Sequence, residues 1–68
     1  MKFKTGDIVQ VINENAFYNG ALGEVAEVDD DEILVHFIAV NDITGEVFVY
    51  EECFYQEEEL DLFVKNNE

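Results

Sequence analysis

The sequence predicts a small all-β domain of five short strands closing into a barrel. Two observations predict it. Val, Ile, Phe and Tyr gather in short runs with period-two alternation, the pattern of half-buried strands. Gly6, Gly20, Gly23 and Gly45 each stand beside such a run, where turns belong, and there is no proline, linker or internal repeat. With 68 residues the chain makes one domain, residues 1–68, and at about 60 residues only about 60% of the unfolded surface is buried, so the core is thin and leaves no deep cleft.

The first strand is expected at residues 8–12, after Gly6-Asp7, with Val9 and Val11 on one face. Residues 13–22 read as a long loop in which Asn19-Gly20 supplies a tight turn and Phe17 tucks underneath. A second strand begins at Gly23 and runs to Val28. Its Val25-x-x-Val28 spacing breaks alternation and predicts a bulge or sharp bend, as a small barrel needs to close. Asp29, Asp30 and Asp31 form an exposed turn. Residues 32–40 follow as the longest strand, with Ile33, Val35 and Phe37 facing inward and His36 outward. A hairpin turn at 41–45 leads into a strand at 46–50 with apolar residues on both faces. A turn around residues 54–58, a last strand at 59–63 and a tail at 65–68 complete the chain.

Five short strands, a long first loop, a bent second strand and a turn before the last one describe an SH3-like barrel. The residues carry a resemblance as well. Phe3-x-x-Gly6-Asp7-x-Val9-x-Val11, then Ala16-Phe17, then Gly23-x-Val25-x-x-Val28 resembles the KOW modules of NusG-type transcription factors. The chain is also similar to small SH3-like subunits of photosynthetic complexes, photosystem I subunit IV and the variable chain of ferredoxin-thioredoxin reductase, whose endings resemble residues 54–60. The resemblance spans roughly residues 3–63 and implies fold rather than function. KOW modules meet RNA through basic residues that this chain lacks, which leaves docking onto a larger protein as the implied habit.

Charge decides which partners are admissible. Seventeen Asp and Glu stand against three lysines, Lys2, Lys4 and Lys65, with no arginine, for a net charge of −14. Phosphate backbones are held by Lys and Arg, so direct nucleic-acid binding is not expected, and an anionic membrane surface is expected to repel the chain. The expected partner is a basic protein, including one that itself binds nucleic acid. Self-repulsion opposes compaction, and screening is expected to raise stability with salt. At 49% hydrophobic and 13% aromatic residues, the chain is nevertheless too apolar for the disordered class. A lone Cys53 and the absence of an apolar leader or an 18-residue apolar run lead us to expect a soluble, cytoplasmic protein.

The residues expected at a partner surface fall in two acidic runs and a set of apolar anchors. Asp29, Asp30, Asp31 and Glu32 form the first run; Glu57, Glu58, Glu59 and Asp61, with Glu51 and Glu52 nearby, form the second. Together they offer the clustered charge of a nucleic-acid duplex, roughly one per 1.7 Å of its axis. Two readings of this acidity stand side by side, mimicry of nucleic acid and plain solubility. Alternation places Ile8, Ile12, Leu34 and Ile38 outside the core. His36, Tyr50 and Tyr55 join Leu34 as anchors of the kind enriched at interfaces, with Tyr18 a further exposed ring. An open barrel edge also admits a homodimer. No metal or cofactor is expected: the acidic runs lack the EF-hand spacing, and one His with one Cys falls short of the four ligands of a structural zinc site. A His36–Cys53 catalytic pair is formally available, but no substrate pocket is expected, so the chain is read as a binding module and not an enzyme.

Overall fold

The computed structural model describes residues 2–68 and shows an all-β chain of five antiparallel strands in one sheet. They are β1 (Ile8–Val11), β2 (Leu22–Val28), β3 (Ile33–Val40), β4 (Val47–Tyr55) and β5 (Leu60–Val64), with one 3₁₀ turn, Glu57–Glu59, between the last two. The order across the sheet is β4-β3-β2-β1-β5, which makes β4 and β5 its edges. Among the described residues no ladder joins those edges, so hydrogen bonds do not close the sheet.

Period-two patterning puts the core where alternation expects it. Val9 and Val11 of β1, Val25 of β2 and Ile33, Val35 and Phe37 of β3 are all fully buried, and Phe3, Tyr55 and Leu60 complete the cluster. The molecule measures 37 × 31 × 17 Å. Packed sheet faces lie about 10 Å apart, so the short dimension holds a single apolar layer.

The bend expected in the second strand is present as a register shift between Val25 and Glu27 in the β2–β3 ladder. Gly23 makes the preceding approach possible. A Cβ there would lie 2.5 Å from Val35 Cγ1 and 2.9 Å from the His36 carbonyl oxygen, so any side chain would drive β2 off β3. Gly20, with φ of +89°, turns the long loop back toward β2 as the Asn19-Gly20 pair predicts.

Two expectations are corrected. The fourth strand does not end at Tyr50 but runs to Tyr55, so Glu51 and Glu52 lie in mid-strand, opposite Phe37 and His36. Adjacent glutamates have little strand preference of their own, and pairing along the whole of β3 overrides it. A register shift between Phe37 and Ile38 accommodates the extra residue, Tyr50. Phe17 does not tuck under the loop either: it is 92% exposed, while its neighbours Ala16 and Tyr18 turn inward against the core.

Asp7 ties the two ends of the chain together. Only 2% exposed, its carboxylate accepts the backbone N–H of Lys4 (3.0 Å) and of Asn66 (2.7 Å). Burial pushes its pKa up, but those two hydrogen bonds and the charges of Lys4 and Lys65 together hold it below the ordinary 3.8.

Candidate functional site

Ladder register, rather than sequence proximity, assembles the acidic surface. Ile33 opens β3 and pairs with Tyr55, which ends β4. The turn before β3 and the turn after β4 must therefore lie side by side, and the two acidic runs meet. Asp30 and Asp31 from one turn and Gln56, Glu57 and Glu58 from the other line an open cleft of about 370 Å³, with Ile33 its apolar member. Asp29 and Glu32 complete the first turn, where the Asp29 N–H donates to the Glu32 carbonyl at 2.8 Å.

Each turn is fixed locally. Asp29 Oδ1 accepts the Asp30 N–H at 3.0 Å, a side chain standing in for backbone at the tip. Glu59 accepts the Gln56 N–H (2.9 Å) and Asn13 Nδ2 (2.8 Å), which pins the 3₁₀ turn to the long loop. Those two bonds hold the Glu59 pKa below the ordinary 4.5. Glu59 is thus a structural acceptor as well as a charge.

The other residues expected at the surface are dispersed. His36 and Leu34 sit half-buried on the outer face of β3, where His36 Nε2 meets Glu52 Oε2 at 2.8 Å. Asp61, opposite Gln10 on the β5 edge, is exposed but lies three strands away from β3. Tyr50 is exposed in β4. Tyr55 is not a surface anchor: it is 7% exposed, its ring edge-on to Phe37 with centroids 6.2 Å apart. Burial first, then the adjacent Cys53, Glu59 and Tyr18, push its hydroxyl pKa up to about 12.

Register also separates the sole histidine from the sole cysteine. Cys53 pairs with the buried Val35 and so faces inward, whereas His36 faces outward beside Glu52. The sheet stands between them, and no Cys–His pair forms. Among the described residues no three His, Cys, Asp or Glu side chains converge as metal ligands. None of the described helices is long and apolar enough to cross a membrane.

Charge is segregated along the chain. All three lysines lie at positions 2, 4 and 65, so residues 5–64 contain sixteen of the seventeen carboxylates (all but Glu68) and not one Lys or Arg. Lys4 Nζ donates to the Glu68 carbonyl at 2.9 Å, and Lys2 Nζ sits 5.3 Å from the Phe3 ring centroid. The cleft carboxylates have no lysine of their own chain in either turn.

One group escaped the sequence reading. Tyr18 of the long loop and Tyr50 of mid-β4 both lean on Phe37, with Phe17 edge-on to Tyr18 and Glu51 accepting the Tyr18 hydroxyl. The signal available in the sequence was Phe17-Tyr18 itself, two adjacent aromatics of which a loop can bury only one.

No known protein family, curated protein or solved structure matches the chain.

Proposed function

We propose that this chain is a non-enzymatic, acidic binding module of the SH3-like, KOW-resembling kind, which docks on a basic protein. The observation that carries the reading is the meeting of Asp30, Asp31, Glu57 and Glu58 around one cleft, on a chain with no Lys or Arg between residues 5 and 64. Like charges gathered without internal cations cost stability, and a positively charged partner offsets that cost on binding. The field steers a Lys/Arg-rich surface and raises the association rate, while burial of aliphatic and aromatic side chains supplies affinity. Where the partner itself binds nucleic acid, the acidic end occupies the groove that phosphates would fill, and inhibition is competitive.

A second reading, an accessory subunit of a larger assembly, is favoured by the β3–β4 hairpin. Its outer half exposes apolar residues on both faces, as a segment buried between subunits would.

Affinity capture of the tagged chain from native lysate, at low and high salt and after nuclease, separates the two. Salt-sensitive, nuclease-resistant capture of a basic nucleic-acid-binding protein is expected, and neutralising Asp29, Asp30, Asp31, Glu57, Glu58 and Glu59 should abolish it. Capture unaffected by those substitutions overturns the docking reading; salt-resistant, stoichiometric capture of one complex establishes the subunit.

A further inference from the structure

The aromatic group on mid-β4 is centred on Tyr50, five residues along the strand from Tyr55, whose ring stands edge-on to the same Phe37. Its floor is Phe37, fully buried. Tyr18 lies over that ring with centroids 4.8 Å apart and planes tilted by 30°, and Tyr50 leans on it at 6.4 Å and 33°. Phe17 stands edge-on to Tyr18 at 5.0 Å, almost wholly in solvent. The Tyr18 hydroxyl donates to Glu51 Oε2 at 3.2 Å, which holds a carboxylate at the rim of the rings.

We propose that Phe17, Tyr18, Tyr50 and Glu51 seat an arginine side chain of the basic partner, an inference that rests on the docking reading above. The chemistry selects the guanidinium. Its plane stacks on aromatic faces while its N–H fork reaches a carboxylate, and it is more weakly hydrated than an ammonium. Glu51 retains the capacity to receive it: Oε2 accepts from Tyr18 and Oε1 from the Glu52 N–H at 3.1 Å, and a carboxylate offers about four acceptor positions. A second copy of the chain is the wrong occupant. It has no arginine, and its lysines lie at positions 2, 4 and 65, beside Asp7 and the chain ends. An exposed Phe17 edge-on to Tyr18, whose hydroxyl holds the Glu51 carboxylate, in a chain with no Lys or Arg between residues 5 and 64, is complementary to an arginine-bearing segment.

The test is an NMR titration of the full chain, labelled at its aromatic rings and backbone amides, with an eight-residue Arg-Gly repeat peptide and its Lys-Gly counterpart at low salt. The expected result is movement of the Phe17, Tyr18 and Tyr50 ring signals, with the Arg peptide bound more tightly than the Lys peptide. Phe17→Ala, a change at an exposed loop position, should weaken Arg-peptide binding by about two- to fivefold, the range of an exposed cation–π contact. Glu51→Gln should weaken it similarly. If the Arg peptide moves only amides of residues 29–32 and 57–59 and Phe17→Ala changes nothing, the arginine seat is overturned while the docking reading stands. If neither peptide binds, both fall.

Discussion

The two halves of the β3–β4 hairpin are built from the same kinds of residue and have opposite fates. From Ile33 to Phe37, and from Cys53 to Tyr55 opposite, every second side chain is buried or partly buried against β1, β2 and the long loop. Beyond the register shift at Phe37/Ile38, Val40, Val47, Phe48, Val49 and Tyr50 are 46–57% exposed, and Ile43 at the tip is 94% exposed. Strand propensity is the same on both sides of the bulge. What differs is cover: β1 and β2 are four and seven residues long and end before the outer half begins. Alternation tells which way a side chain points; it does not tell whether anything lies there to meet it.

Truncating one ring in each half should expose the difference in cover directly. Phe37→Ala removes a fully buried side chain that touches Tyr18, Tyr50 and Tyr55, and should cost about 3–5 kcal/mol, enough to unfold so small a domain. Phe48→Ala, in the outer half, should cost less than about 1 kcal/mol in the same urea titration. Equal losses would mean that the outer half is packed after all.

A second substitution sharpens the role of β2 as the cover. Gly23→Ala forces a methyl group against Val35 and the His36 carbonyl, and is expected to cost about 1–3 kcal/mol through overpacking, with the loss appearing in the inner half first. Amide hydrogen exchange of Val35 and Phe37 reads it. Exchange unchanged there would show that β2 moves aside freely.

Two carboxylates, Asp7 between the chain ends and Glu59 in the 3₁₀ turn, make stability depend on pH. Asp7 and Glu59 are held below their ordinary values of 3.8 and 4.5, so the ionised forms favour the fold. Their stabilisation is complete above those values and is lost as pH falls through the depressed ones. Asp7→Asn should lower stability at pH 7 by about 1–3 kcal/mol and flatten its dependence in that acid window. At the other extreme, Tyr55 is pushed up to about 12, so the unfolded chain loses that proton first and stability declines between pH 10 and about 12. Absorbance of tyrosinate at 295 nm, followed beside circular dichroism, should show one tyrosine ionising only with unfolding.

The smallest effect is expected from Val49→Thr on the outer face of the hairpin, within about 0.5 kcal/mol of the parent by thermal melting. A larger loss would place an unrecognised contact there.

Much of the fold was legible in the residues. Ile33, Val35 and Phe37, with Val9 and Val11, announced their shared face by spacing, and Val25-x-x-Val28 announced the bend. The course of β4 through Glu51 and Glu52 was not legible, because pairing with β3, and not local preference, holds those glutamates extended. Phe17 was misread for a related reason: the loop can turn only one of two adjacent rings inward, and it is Tyr18 that reaches Phe37. The site was legible in its charges but not in its assembly. Asp30 and Asp31 lie 26 or more residues from Glu57 and Glu58 in sequence, and only the Ile33–Tyr55 pairing brings them to one cleft. The same logic removed Tyr55 from the surface and left Asp61 on the far edge.

The unpaired β4 edge has a consequence for the protein in concentrated solution. Nine residues long, with Val47, Phe48, Val49 and Tyr50 exposed and neither Lys nor Pro in it, this edge lacks most of the devices that keep strands of different molecules from zipping together. Carboxylates take their place: Glu46 precedes the run and Glu51 and Glu52 follow it. Two such edges in register would bring like charges within about 5 Å, well inside the roughly 8 Å screening distance at physiological ionic strength. At 1 M salt that distance shrinks to about 3 Å and the barrier between molecules falls. The salt expected to steady each molecule against its own repulsion would therefore remove the colloidal protection that keeps its neighbours away.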